Sequence, residues 1–409
     1  MSIKAKIKRF KDYSHDGTLK QHLWISFFVR IKWIYNLISP FCKVKKNKIV
    51  LSNFVGLGYG CNPKYIAQYI LEHNLSYELI WLADDLKCRN SDLIPQQIKK
   101  VKLYSFSALY ELSTAGVWID NVRKSLYPKK KKNQIYIQTW HGTFPTKKIE
   151  KDASTLPKEY QKMAIKDSRM IDGLLSGSQI KTETYKSNFY YNGEILNIGQ
   201  PRDDIFFDKI KIKESEKRIK EYLKLPKDNK IILYAPTFRQ GYSLEPYKLD
   251  YEKVLGVFEA KFGVKCSFVS RLHPNMVQFA DKLKVPSFVV NATTYPDMQE
   301  LLCAADFIIS DYSSTLDFSL FNKPIFLFCS DYEEYKKNER DFYISLEDLP
   351  FPFALTNEGL CENIKSFDEE KYIKMLTDAY KKYGLFDDGH AYEKVMAWLE
   401  NKRAEIEKR

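Results

Sequence analysis

Apolar runs of three to five residues recur along this chain. Each is closed by a polar or glycine-bearing turn and followed by a stretch whose apolar positions return every three to four residues. Ile49-Val50-Leu51, Glu78-Leu79-Ile80-Trp81-Leu82, Lys100-Val101-Lys102-Leu103, Gly116-Val117-Trp118-Ile119-Asp120 and Ile135-Tyr136-Ile137 predict strands of a first half, which continues through Gly173–Ser178 and Glu194–Pro201. A charged run from Asp208 to Asp228 reads as a surface helix and linker. The alternation then restarts with Ile231–Tyr234, Ser267–Ser270, Phe288–Val290, Phe307–Ile309 and Pro324–Phe328. Runs this short, alternating with helical patterns, predict βαβ units and parallel sheets, so the expected fold class is α/β. The breaks place domains at 47–210 and 211–385, a C-terminal helix at 386–409 and a separate leading segment at 1–46.

The leading segment has its own pattern. Residues 22–41 (HLWISFFVRIKWIYNLISPF) are strongly apolar but carry Arg30 and Lys32 near the middle, where a membrane-spanning helix would exclude charge. Two tryptophans and flanking lysines, with Lys43, Lys45, Lys46 and Lys48 following, fit an amphipathic helix lying in the interface of an anionic membrane. A helix packed on the protein's own surface is the other reading.

The chemistry gathers where strands end. The stretch Glu300–Phe328 reads strand, polar turn, short helix, strand. Its turn Ser310-Asp311-Tyr312-Ser313-Ser314 presents hydroxyls and free N–H groups at an expected helix N-terminus over Thr315–Phe321, where an anion is favoured. A self-capped helix is the plain alternative. Three earlier strand ends carry Thr237 and Arg239, Arg271 and His273, and Thr293–Asp297, and arginine recognises phosphate in a planar, bidentate way. In the first half, the strand 135–137 delivers Trp140, His141, Gly142 and Thr143. A histidine beside a glycine at a strand's carboxyl end is a candidate for proton transfer. Gly56 and Gly58, in Asn53–Pro63, let backbone approach a ligand or simply make a tight loop. Their GxGxG spacing departs from the dinucleotide GxGxxG.

Composition narrows the classes. The 409 residues carry a net charge of +13, which points to an anionic partner: a phosphorylated substrate, a membrane surface or nucleic acid. The seven cysteines are scattered without a CxxC pair, against a disulfide framework or zinc site. No nucleic-acid-binding motif appears, so nucleic acid is not expected as a partner.

Trp140-His141-Gly142-Thr143, Ser176-Gly177-Ser178, Gly199-Gln200-Pro201-Arg202-Asp203, Tyr234–Arg239, Arg271-Leu272-His273-Pro274 and Ser310–Ser314 together resemble the CDP-glycerol glycerophosphotransferase family. The match runs in order over roughly residues 48–385. The resemblance implies a GT-B architecture of two Rossmann-like domains facing a cleft, attached peripherally to the cytoplasmic side of the cell membrane. It implies His141 as general base and His273 at the donor phosphates. Thr237, Arg239, Arg271, Ser310, Asp311, Ser313 and Ser314 would bind the donor, and Gly56, Gly58, Trp140, Gly142, Thr143, Arg202 and Asp203 would lie towards the acceptor. The implied reaction transfers glycerol phosphate, or a related polyol phosphate, from a CDP-polyol to a lipid-linked or polysaccharide acceptor. No cofactor is required; a divalent metal is compatible but not demanded. The family often continues its first motif Pro-Leu-Lys, where this chain has Phe144-Pro145-Thr146-Lys147, and many family polymerases carry further domains for which there is no room here. Alternatives are a GT-B glycosyltransferase using a nucleotide sugar and, from another class, a non-catalytic basic protein of membrane or nucleic acid.

Overall fold

A computed structural model describes residues 19–84, 88, 90–124, 128–143, 146–153, 155–239, 244–273, 276, 283, 285–312 and 314–408, with backbone alone at 19, 21, 22, 29–33 and 314–316. The chain forms two compact units. One holds Met1–Trp140, Arg169–Leu174 and Ala397–Arg409, the other His141–Ser168 and Leu175–Met396.

In the first unit β1 (Lys45–Ser52), β2 (Glu78–Ala83), β3 (Lys99–Lys102), β4 (Ala115–Asp120), β5 (Ile135–Gln138) and β6 (Gly173–Ser176) lie in the order β3-β2-β1-β4-β5-β6. The pairings are parallel, with Val50 between Ile80 and Trp118. Most of these strands are apolar runs buried on both faces, which is why they read as continuous rather than alternating; β3, where Val101 alone is buried, is the exception. β6 continues through Leu175 and Ser176 into the second unit, where β7 (Glu194–Asn197) follows. The second unit's own sheet has β8 (Lys230–Ala235), β9 (Cys266–Ser270), β10 (Val290–Asn291), β11 (Phe307–Ser310), β12 (Ile325–Phe328) and β13 (Phe353–Ala354) in the order β10-β9-β8-β11-β12-β13, parallel throughout. Both sheets therefore follow the doubly wound 3-2-1-4-5-6 order. The order reverses between β1 and β4 in one, and between β8 and β11 in the other.

Three details depart from the sequence pattern. The strand expected over Phe288–Val290 is only Val290–Asn291, and β13 carries too short an apolar run to be noticed. The helix after Ser313 is a 3-10 helix, Ser314–Phe321, so the α-helical macrodipole expected at that turn is not there.

The helix Leu19–Ile38 packs on the first unit through Phe28, which is buried against Phe106, and through Trp24, whose indole N–H donates to the Tyr104 carbonyl (2.8 Å). Its outer residues Leu23, Phe27, Ile34, Leu37 and Ile38 are exposed, as is Phe41 just beyond it. Among the described residues no helix is long and apolar enough to cross a membrane.

The first unit also buries an ion pair. Lys48, 1% exposed, meets Glu111 at 2.5 Å and donates to the Thr114 hydroxyl (3.1 Å). Removing one partner strands a buried charge. Glu111→Ala is expected to cost about 3–5 kcal/mol, whereas the double change Lys48→Met/Glu111→Leu costs much less. Urea denaturation of the three proteins checks this, and a Glu111→Ala loss below about 1 kcal/mol contradicts it.

Candidate active site

The two switch points are built differently. In the first unit the loop after β1 closes on itself: Phe54 N–H donates to Asn121 Oδ1 (2.8 Å), and the Asn121 amide donates to Asn53 Oδ1 (2.8 Å). Gly56 has φ +80°, and a Cβ there would stand 2.5 Å from the Asp84 backbone nitrogen; one on Gly58 would stand 2.1 Å from Asn90 Oδ1. These glycines are needed for the loop's contacts with its own chain, which is the plain reading of the pair.

In the second unit the switch point is organised by Asp311, buried directly after β11. Its carboxylate accepts from the Thr237 N–H (2.9 and 3.0 Å), the Thr237 hydroxyl (2.6 Å) and the Tyr312 N–H (2.5 Å), and ion-pairs with Arg239 at 3.0 Å. Arg239 is also bidentate to Asp331 (2.6 and 2.9 Å), donates to the Thr237 carbonyl, and lies over the rings of Tyr312 and Tyr335. The Ser310 hydroxyl donates to the Ala235 carbonyl (2.9 Å). Thr237, Arg239, Ser310 and Asp311 thus satisfy one another and tie the ends of β8 and β11 together. Two carboxylates already balance the Arg239 cation.

Two neighbouring cations, Arg271 and Lys147, lack such balance, and His273 sits with them. Arg271, after β9, donates through Nη2 to the Tyr295 carbonyl (3.1 Å), and its buried Nε has no hydrogen-bond partner among the described residues. Burial pulls its pKa down to about 10 despite Asp297 nearby. His273, exposed to solvent on one side, lies tilted against Phe238 with ring centroids 5.7 Å apart, and desolvation together with Lys147 and Arg271 pushes it down to about 4. Lys147 lies over the Tyr335 ring (5.5 Å), and burial pushes it down to about 7 although Asp311 opposes the fall. Lys147 and Arg271 press down on His273, and Arg340 and Arg239 press down on Lys147; a site so crowded with positive charge is stabilised by an incoming anion. Ser313 lies outside the described residues, as do Phe144, Pro145 and Pro274, and of Ser314 only the backbone is described.

The turn bearing His141 belongs to the same unit from His141 onward. Trp140 (φ 48°) and Gly142 (φ 81°) take left-handed backbone, which costs free energy at the tryptophan and is cheap at the glycine. The Trp140 carbonyl accepts from the Asn62 amide (3.1 Å) within the first unit. Thr143 is clamped on three sides. Its N–H donates to Asp317 (3.1 Å), its hydroxyl to Asp387 (3.0 Å), and its carbonyl accepts from the Ser178 hydroxyl (2.9 Å). Gly177 leaves room for it, since a Cβ there would stand 2.6 Å from the Thr143 hydroxyl. Asp317 ion-pairs with Arg202, which lies 3.5 Å from Asp203, and Gln200 N–H donates to Asp387 (2.7 Å). Arg202 and Asp203 are buried in this network, beneath the turn they were expected to flank. The structure therefore joins the motifs 140–143, 176–178 and 199–203. Asp317, Asp331 and Asp387 went unremarked in the sequence, and Lys147 entered only as the last residue of the Phe144–Lys147 departure. Asp317 and Lys147 stand inside quoted stretches, but nothing in their spacing marks them.

Fold and site describe an α/β protein of two Rossmann-ordered parallel sheets, with an under-compensated cationic group at the switch point of the second. The model of the CDP-glycerol:poly(glycerophosphate) glycerophosphotransferase family matches residues 34–401, and the chain belongs to that family. It is 32% identical over 380 residues to a teichoic acid poly(glycerol phosphate) polymerase of Staphylococcus epidermidis, covering 88% of this chain and 52% of that protein. It is 30% identical over 387 residues to a protein of the same description from Bacillus spizizenii, covering 91% and 97%. The chain thus spans about half the length of one relative and nearly all of the other. A solved structure of the wall teichoic acid polymerase TagF superposes with a TM-score of 0.80 at 29% identity, covering 93% of this chain and 95% of that one.

Burial pushes the Asp387 and Asp204 carboxyls up to about 7. Folding thus favours their neutral forms. That contribution is full below the unfolded carboxylate pKa of about 4 and is lost as pH rises through about 7. Between pH 6 and 8.5, Asp387→Asn should gain on wild type by on the order of 1 kcal/mol in thermal melts. Parallel pH curves for the two proteins would refute the assignment.

Proposed function

We propose that this chain transfers glycerol phosphate from CDP-glycerol to a membrane-linked acceptor or growing polyol-phosphate chain, releasing CMP. The observation that carries it is the pair Arg271 and Lys147, two incompletely matched cations beside His273 at the switch point of a sheet whose chain belongs to this family. The acceptor hydroxyl attacks the β-phosphorus of the donor, its proton passes to His141, and the bond from that phosphorus to the bridging oxygen breaks, so that CMP leaves with the electron pair. Arg271 and His273 hold the diphosphate, and positioning with charge neutralisation supplies most of the rate, as in other phosphoryl transfers. Thr237, Arg239, Ser310 and Asp311 keep that floor rigid. The cytidine fits a cavity of about 570 Å³ lined by Arg239, Pro246, Asp331, Tyr332, Tyr335 and Leu355. The two sheets are the Rossmann-like domains of a GT-B architecture, the first serving the acceptor and the second the donor. The exposed apolar side of Leu19–Ile38 rests in the cytoplasmic face of the cell membrane, among anionic lipids.

Incubation with CDP-glycerol and membrane extract is expected to release CMP, and His141→Ala to slow it about 10²–10⁴-fold while CDP-glycerol affinity stays within threefold. Turnover near wild type in that variant removes His141 from the role. Release of UDP from a UDP-sugar, with none of CMP from CDP-glycerol or CDP-ribitol, overturns the reaction. Changing Leu23, Phe27, Leu37 and Phe41 to serine spares Trp24 and Phe28, and should move the protein from anionic vesicles to the supernatant in sedimentation. Undiminished co-sedimentation contradicts the membrane face.

A further inference from the structure

We propose that Lys147 contacts the donor diphosphate directly, neutralising charge on the departing CMP and binding a proton as the donor arrives. This rests on the function proposed above and adds a residue to it.

The backbone around Lys147 is fixed on both sides. Lys147 bridges to Phe342, the Thr146 carbonyl accepts from Tyr343 N–H (2.8 Å), and Lys148 N–H donates to the Asp341 carbonyl (2.8 Å). The two adjacent lysines are then used differently. Lys148 ion-pairs with Asp341, a surface bridge of ordinary kind. Lys147 turns to the switch point, and its only described partner is the Tyr335 ring; no carboxylate is hydrogen-bonded to its ammonium among the described residues. The groups that act on it come from every side. Asp311 and Arg239 stand at the ends of β11 and β8, Glu339 and Arg340 follow the helix Tyr332–Asn338, and His273 lies after β9. Asp311 is the nearest thing to a counter-ion, and it is already shared among Thr237, Tyr312 and Arg239. A lysine placed so beside an arginine with an unpaired Nε and a histidine serves no stabilising purpose in the free protein. A dianionic group laid across Lys147, His273 and Arg271 would balance all three.

The proton follows from the same arrangement. Burial holds free Lys147 at about 7, so near pH 8 most molecules carry it neutral. A bound diphosphate raises that pKa, so each binding event takes up part of a proton. Affinity should be highest below about pH 7 and fall above it. His273 faces the same anion and contributes uptake of its own.

Calorimetric titration of CDP into the full chain at pH 8, in two buffers of different ionisation enthalpy, measures the uptake directly. Wild type is expected to bind a substantial fraction of a proton. Lys147→Arg, permanently charged, should bind CDP within about threefold of wild type and lose the lysine's share of uptake. Lys147→Met should bind CDP at least tenfold more weakly and slow CMP release about 10²-fold. Uptake unchanged in Lys147→Arg overturns the proposal. So does CDP affinity or turnover within twofold of wild type in a Lys147→Met protein that melts normally. A wild type that binds no CDP overturns the function itself, an outcome distinct from either.

Discussion

A charge removed from water must be matched, and the second unit matches its cations unevenly. Arg239 receives two carboxylates and an aromatic bed, and Arg202 receives Asp317 and Asp203. Arg271 and Lys147, both only half-buried, receive a carbonyl and a phenol ring, with Asp297 and Asp311 acting on them from a distance. The first set is architecture. The second is left incompletely matched, and the sorting follows from compensation alone.

Asp317 gives that arrangement its coherence. It stands in the 3-10 helix that follows the Ser310–Ser314 turn, yet it holds the Thr143 N–H just beyond His141 and pairs with Arg202. One carboxylate thus links the turn that carries the proposed base to the element that frames the donor site. Both lie in one compact unit. The cost is a buried cluster of aspartates, visible in the raised Asp387 and Asp204 carboxyls.

Much of the sheet architecture was legible because its strands are short runs buried on both faces, which burial alone forces to be continuously apolar. That Arg271 and His273 end β9, and Thr237 and Arg239 follow β8, was also legible, since strand ends can be counted from the runs. What could not be read was compensation. Asp331 lies 92 positions from the arginine it balances, and no local pattern announces the pairing. For the same reason Arg239 and Arg271 looked alike. Asp387 fell beyond the expected end of the second domain at 385, although it binds Thr143. Lys147 sits beside Lys148 with nothing local to tell them apart, and only tertiary structure separates their roles. The segment 314–321 read as an α-helix because its apolar spacing is compatible with either helix, and propensity is a weak guide over eight residues.

The chain belongs to the CDP-glycerol:poly(glycerophosphate) glycerophosphotransferase family, and its cations differ in how fully they are matched. The most direct measurement is a crystal structure of the protein with CDP bound. The account predicts the diphosphate against Arg271, His273 and Lys147, with Arg239 still held by Asp311 and Asp331. A diphosphate bound to Arg239 with Asp331 displaced, and Lys147 still resting on Tyr335 away from it, would contradict the account at its centre.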